Sequence, residues 1–287
     1  MKETAYGKIN LGLSVLGKRS DGYHQVDMIM QSISLADSIT FVPAETFGVE
    51  TDNPQLPCDG SNLMVKAARA FAERTGQPVP YHLICIKRIF LAAGLAGGST
   101  DGAAVLWGMN QMYGLGLSRQ ELMERGVKLG ADVPYCVQRG TALAEGIGER
   151  LSVLPSMPKC TILIAKPGIS VSTKFVYENL HANDLKPEQH PDVDSMIEAM
   201  KEKNLDLLCE RMGNVLETVT IPAYPVIQEI KEHMMACGAA GAMMSGSGPT
   251  VFGIFHSPVQ AKAAMKDLKV NGLAKQLYLT TPYNVKR

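Results

Sequence analysis

Ala92-Ala93-Gly94-Leu95-Ala96-Gly97-Gly98-Ser99-Thr100-Asp101 is the stretch on which the reading of this chain turns. The run before it, Tyr81-His82-Leu83-Ile84-Cys85-Ile86, reads as a strand, and Gly102-Ala103-Ala104-Val105-Leu106-Trp107 after it reads as helix. A glycine-rich turn that closes onto a helix start leaves backbone N–H groups pointing outward, with the positive end of the helix dipole behind them. That arrangement favours an anion, most commonly phosphate. Gly94, Gly97 and Gly98 let the backbone approach a ligand with no Cβ in the way. Ser99 and Thr100 add hydroxyls that bind a phosphate oxygen or cap the helix. A plain strand-to-helix turn accounts for one of those glycines and strains to account for three with two hydroxyls.

The 287 residues suit one large domain or two of ordinary size. Lys plus Arg and Asp plus Glu are 28 each, so there is no long-range field to draw in nucleic acid or an acidic membrane surface. The cysteines at 58, 85, 136, 160, 209 and 237 show no C-x-x-C and no zinc spacing. Cys85, Cys136 and Cys160 sit in apolar runs and read as buried free thiols. The first residues carry no secretory apolar segment, and no apolar run approaches the ~20 residues a bilayer span needs. The expectation is a cytoplasmic protein.

In order, residues 4–16 read as a strand, 17–22 as a turn, and 26–33 and 39–42 as two further strands of a meander. Residues 43–60 read as loop, and Asn62 to Arg74 as an amphipathic helix stopped by Gly76. Ser118-Arg119-Gln120-Glu121 is a capping box opening a helix to about Leu129. A turn into a short helix follows at 130–136, a hairpin at 140–154 and a strand at 160–165. Residues 181–195 read as a long connection, and 193–203, 205–217 and 225–237 as helices. A second glycine cluster, a strand at 250–256, a helix at 259–268 and a strand at 276–280 close the chain. The pattern is α+β in two domains, 1–155 and 156–287.

The P-loop signature, the dinucleotide fingerprint G-x-G-x-x-G and the hydrolase elbow G-x-S-x-G are all absent, so a phosphate site needs another scaffold. The second cluster, Gly238 to Thr250, holds more glycine and serine than a helix C-cap requires. Asp132, among Gly130, Ala131, Val133 and Pro134, is either the N-cap of the short helix or a general base. Lys8, in an alternating strand, is either solvent-facing or set to bind a transferring phosphoryl. Tyr23-His24 is a turn aromatic or half of a base sandwich, completed by an aromatic of Val171-Ser172-Thr173-Lys174-Phe175-Val176-Tyr177. The methionines of the later helices read as core.

Lys8-Ile9-Asn10-Leu11, Ala92 to Thr100 and Met243 to Thr250 resemble, in order, the three motifs of the GHMP kinase superfamily. Lys8 through Gly17-Lys18-Arg19-Ser20-Asp21-Gly22-Tyr23-His24 is similar to the branch acting on a cytidine-diphosphate-linked methylerythritol, as are Gly130 to Pro134 and Gly246 to Thr250. The resemblance runs along nearly the whole chain. It implies a ribosomal-protein-S5-domain-2-like N-terminal domain and a ferredoxin-like C-terminal domain. It implies ATP-dependent phosphorylation of the 2-hydroxyl of 4-diphosphocytidyl-2-C-methyl-D-erythritol, on the non-mevalonate route to isoprenoid precursors. Ala92 to Thr100 would then hold the ATP phosphates, bridged by Mg²⁺, with Asn62 on the adenine side. Asp132 would be the base and Lys8 its charged partner, with Asn10 near the methylerythritol hydroxyls. Tyr23, His24 and Tyr177, with Thr173 beside it, would form the cytosine pocket, Phe175 being the alternative aromatic. No protein metal ligand is assigned, and neither nucleic acid nor membrane is expected as a partner of a monomer or homodimer. Phe90 stands after Ile89 where the family has proline.

Overall fold

The computed structural model describes residues 1–20 and 22–285; Asp21, in the expected turn at 17–22, lies outside the described residues. Contacts divide the chain into two units, the first Met1–Gly7, Leu35–Leu91 and Ala96–Arg139, the second Lys8–Ser34, Ala92–Leu95 and Gly140–Arg287.

The first unit holds the start of β1 (Lys2–Lys18), the end of β2 (His24–Pro43), β3 (Gly48–Thr51), α1 (Leu63–Thr75), β4 (Tyr81–Ile86), α2 (Gly97–Met112), α3 (Arg119–Gly126) and α4 (Val133–Gln138). β4 is antiparallel to β2, with Ile39 opposite Cys85, and β3 is parallel to β4. The α1 face Met64, Ala67, Ala68 and Phe71 is buried, as the sequence spacing predicts, and Gly76 closes the helix at φ 63°. Gly108 lets α2 lie on the Phe41 ring, which a Cβ there would strike. The capping box at Ser118 and Glu121 forms, and its helix ends at Gly126, a turn earlier than expected.

The second unit continues with β5 (Thr141–Gly146), β6 (Arg150–Val153), β7 (Thr161–Lys166), α5 (Thr173–Glu178), α6 (Val193–Lys201), α7 (Leu205–Arg211), β8 (Gly213–Asn214), α8 (Glu217–Ala223), α9 (Val226–Ala236), β9 (Gly241–Met244), β10 (Val251–Phe255), α10 (Pro258–Val270) and β11 (Gln276–Thr280). β5 pairs antiparallel with the start of β2 and forms the expected hairpin with β6. β7, β9, β10 and β11 make an antiparallel sheet of order β11-β7-β10-β9, the ferredoxin-like arrangement. Ile227, Ile230 and Met234, spaced on one face of α9, and Ala261, Ala264 and Leu268 of α10 are buried. Each of the larger ones contributes about 1.5–3 kcal/mol by leaving water.

Several expectations need correcting. The two strands at 26–33 and 39–42 are one 20-residue strand, β2. The polar residues Ser34 and Asp37 between them do not break it, because Ser34 bonds Thr281 through its N–H and hydroxyl and Asp37 bonds Lys87, Arg88 and Ile89. Residues 43–60 include β3. The helix at 205–217 stops at Arg211 so that Gly213 and Asn214 can pair with Gly12 and Leu13 of β1, and α8 follows with Pro222 inside it. The second glycine cluster contains β9, and Ser172 caps the unexpected α5. All six cysteines are free; Cys85 and Cys136 are buried, while Cys160 is only half-buried.

Candidate active site

In the second unit Lys8 and Asn10 are two residues apart on β1 and therefore share a face. Lys8 is 5% exposed, so it is not the solvent-facing lysine that alternation allows. Its Nζ donates to Asn10 Oδ1 at 2.7 Å, and Asn10 Nδ2 reaches the Met28 sulfur at 3.5 Å. The Lys8 backbone N–H donates to the Leu95 carbonyl at 3.1 Å, seating the 92–95 turn on β1. In that turn Ala92 and Gly94 have φ of 47° and 69°. A Cβ on Gly94 would fall on the Ser245 carbonyl, so glycine is demanded there twice, by conformation and by space.

The turn after β9 closes on the same pair: a Cβ on Gly246 would stand 3.6 Å from both Lys8 Nζ and Asn10 Oδ1. Asn214 Nδ2 holds that turn by donating to the carbonyls of Met244 and Gly246 at 2.9 and 2.8 Å. Ser247 Oγ lies 2.8 Å from Thr173 Oγ1, which ties α5 to the turn. Neither Asn214 nor Ser247 was singled out from sequence. An asparagine two residues long on a strand leaves no periodic trace, and one serine among several carries no label.

A cavity of about 520 Å³ in this unit is lined by Lys18, His24, Lys174, Tyr177, His181 and Asp184 among others. The His24 and Tyr177 rings pack with centroids 5.0 Å apart and planes tilted by 41°. Tyr177, not Phe175, is therefore the aromatic beside His24. Tyr23 is 58% exposed and is not among the described lining residues. Burial, and then the Lys18 charge, hold the His24 imidazole below its ordinary pKa. His181 and Asp184 come from the 181–195 connection, whose Ala182–Asp184 turn is a 3₁₀ helix.

In the first unit, α2 starts at Gly97 with Ala96 as its N-cap at φ 54° and no side-chain cap. The N–H groups of Gly97, Gly98 and Ser99 open the helix and have no partner within it. Gly98 is exposed, and a Cβ there would meet nothing nearer than Leu63 at 3.9 Å, so the helix end is open to a ligand. Thr100 differs: its N–H donates to Ala96 at 2.9 Å and its buried hydroxyl to Tyr6 at 2.8 Å. Its side chain anchors the helix and offers nothing to an anion. The backbone before Phe90 is held without a proline ring, by the Lys87 N–H on Asp52 and the Arg88 and Ile89 N–H groups on Asp37.

Asp132 occupies the N-cap position of α4, but its side chain makes no capping bond and it is half-exposed, which leaves the carboxylate available. Asn62 is committed to the chain: Oδ1 caps α1 by accepting from Met64 N–H at 2.8 Å, and Nδ2 donates to Pro57 at 2.6 Å.

The first unit presents an open, glycine-flanked helix end, and the second a buried lysine between two glycine turns, on an α+β scaffold. Residues 62–140 match the GHMP kinases N terminal domain and residues 196–271 the GHMP kinases C terminal family, which makes the chain a small-molecule kinase of that class. The chain is 50% identical over 281 residues to the 4-diphosphocytidyl-2-C-methyl-D-erythritol kinase of Lachnospira eligens, covering 97% of each. It is 47% identical to that of Lachnoclostridium phytofermentans, covering 96% of this chain and 95% of the other. A crystal structure of 4-(cytidine 5'-diphospho)-2C-methyl-D-erythritol kinase superposes with a TM-score of 0.84 at 32% identity, over 99% of this chain and all of that one. The homoserine kinase of Cytophaga hutchinsonii, at 18% identity and a TM-score of 0.74, shares the fold. The chain belongs to the 4-diphosphocytidyl-2-C-methyl-D-erythritol kinase family.

Proposed function

We propose that this kinase transfers the γ-phosphoryl group of ATP to the 2-hydroxyl of 4-diphosphocytidyl-2-C-methyl-D-erythritol. The observation that carries the choice of acceptor is the His24–Tyr177 ring pair in a cavity flanked by Lys18 and Lys174. The tilted ring pair offers an aromatic face to a pyrimidine and the two ammonium groups fit a diphosphate; homoserine and mevalonate present neither. The neutral imidazole that a lowered His24 pKa favours can accept from or donate to a base edge.

Asp132 takes the proton of the 2-hydroxyl as its oxygen attacks the γ-phosphorus and the bond to ADP breaks. Lys8 meets the charge on the transferring group, and Asn10 fixes its ammonium and reaches the methylerythritol hydroxyls. Ala92, Ala93, Gly94 and Leu95 shape the approach to the phosphates, and the N–H groups of Gly97, Gly98 and Ser99 bind them. Ala96, as N-cap, and Thr100, through Tyr6, hold that helix end. Asn62 sets the start of α1 on the adenine side; Tyr23 and Thr173 border the substrate. Mg²⁺ would neutralise the β- and γ-phosphates. Among the described residues no group of three His, Cys, Asp or Glu is placed to hold a metal ion.

The matches at 62–140 and 196–271 fall either side of residue 155 and support domains at 1–155 and 156–287. A cytoplasmic enzyme working as monomer or homodimer, without nucleic acid or membrane, fits the balanced charge. The test is an ADP-release assay with the cytidine-diphosphate-linked methylerythritol, homoserine and mevalonate. Turnover at least a hundredfold better with the first is expected; equal or better turnover with another acceptor refutes the proposal.

A further inference from the structure

Three buried ionisable side chains of the first unit have no part in the mechanism so far. Lys87, at the exit of β4, donates from Nζ to Asp37 Oδ2 at 2.5 Å and to Asp101 Oδ2 at 2.6 Å, and none of the three side chains is more than 2% exposed. Asp37, from β2, spends its other oxygen on the N–H groups of Arg88 and Ile89, at 2.5 and 2.8 Å. Asp101 belongs to α2, and its Oδ1 is buried with no hydrogen-bond partner. A Cβ on Gly97 would lie 3.1 Å from Lys87 Nζ, so the ammonium sits directly under the first residue of that helix.

Burying an ion pair together with a third ionisable group is expensive, and an apolar trio of the same volume is commonly as stable or more so. An assembly of that kind is a poor choice for stability alone. Its location offers the reason: one side of it grips the backbone leaving β4, the other grips the first turns of α2, and the ammonium fills the space beneath the helix start.

We propose that Lys87 is a positioning residue of the phosphate site: held by Asp37 and Asp101, it locks the exit of β4 to the first turn of α2 and so fixes the N–H groups of Gly97, Gly98 and Ser99 that bind the phosphates of ATP. The inference rests on the assignment of those phosphates to this helix end. The protonation of the trio supports it. Facing Asp101 are Lys87 and Cys85 from β4 and its exit, and Asp37 from β2. Burial, opposed by Lys87 and aided by Asp37, pushes the Asp101 carboxyl up to about 8. For Lys87, burial works against the charge, but Asp101 and Asp37 outweigh it and hold the ammonium above its ordinary pKa. At neutral pH the trio is therefore balanced, one ammonium against one carboxylate. Above pH ~8 it gains a negative charge under a site that must take an anion, and ATP binding weakens.

The experiment is steady-state kinetics on three variants of the full chain at pH 7 and pH 9. Lys87→Met/Asp101→Asn removes the ammonium and the raised carboxyl and leaves the Asp37 carboxylate on its two backbone N–H donors. It is expected to raise the KM for ATP at least tenfold while the KM for the cytidine-linked acceptor stays within twofold; an ATP KM within twofold of the parent overturns the proposal. Asp101→Asn, which keeps an acceptor for Lys87, is expected to raise the ATP KM less than threefold at pH 7 and to abolish the rise that the parent shows at pH 9. A parent without that rise, or a variant that retains it, overturns the proposal even if the double variant does not fold. Gly98→Asp, which sets a carboxylate at the open helix end, separates the two levels. If it raises the ATP KM and the trio variants do not, the positioning role alone is wrong; if it changes nothing, the phosphate assignment fails and the inference with it.

Discussion

Ser245 donates its hydroxyl to the carbonyl oxygen of Gly94 at 3.0 Å, joining the turn before α2 to the turn after β9. The bond is possible because Gly94 carries no Cβ: one would occupy the place of the Ser245 carbonyl. The glycine turn is thus a docking geometry between two loops as well as a route of approach for a ligand.

Gly94→Ala therefore forces the loops apart and puts an alanine at φ 69°. The strain alone is of order 1–3 kcal/mol. We expect a loss of stability of about that size and at least a hundredfold loss of kcat/KM, read by urea unfolding and ADP release. Ser245→Ala, which removes one bond, should cost only about 1 kcal/mol.

Asp132→Asn keeps the size of the side chain and removes its basicity. A positioned general base contributes about 10²–10⁴ in rate, so kcat should fall by that factor while the dissociation constant for ATP stays within threefold. Near-normal turnover would remove Asp132 from the role of base.

Tyr177→Ala strips one ring from the pair with His24. Stacking a base on an aromatic is worth about 1–3 kcal/mol, so the KM for the cytidine-linked acceptor should rise roughly 5- to 150-fold with the ATP KM unchanged. A rise confined to ATP would mean that the two substrates have been assigned to each other's sites.

Stability should fall as pH rises, in part through Asp101. Its folded pKa, about 8, lies above the ordinary aspartate value of 3.8, so between those limits the folded state holds a proton that the unfolded chain has released. That contribution is complete below pH ~4 and is lost as pH rises toward 8. Urea midpoints of the parent and of Asp101→Asn, taken from pH 5 to 8.5, should converge on a shallower slope for the variant; identical slopes would contradict the raised carboxyl.

The α1 boundaries, the capping box at Ser118, the hairpin at 141–153 and strands β7, β10 and β11 were legible because each depends on local signals: a cap, a period, a turn. The unbroken β2 was not, since polar residues at its middle find partners remote in sequence, Thr281 for Ser34 and Lys87 for Asp37. The same distinction runs through the site. Lys8, Gly94 and Asp132 could be marked by neighbours in sequence, whereas Asn214 matters only because a two-residue strand delivers it to carbonyls about 30 positions away. Thr100 shows the reverse error: a hydroxyl in the right motif that is already given to Tyr6.

The free thiols give the molecule a built-in labelling handle. Burial drives the Cys85 thiol far up and holds those of Cys160 and Cys209 at about 12, and Cys136 is enclosed, so none of these is a ready nucleophile at neutral pH. Cys58 is exposed, four residues before the Asn62 cap of α1. A maleimide dye added at pH 7 should couple there first, placing a fluorescent reporter beside the proposed adenine side in the native sequence, with no engineered cysteine and none deleted.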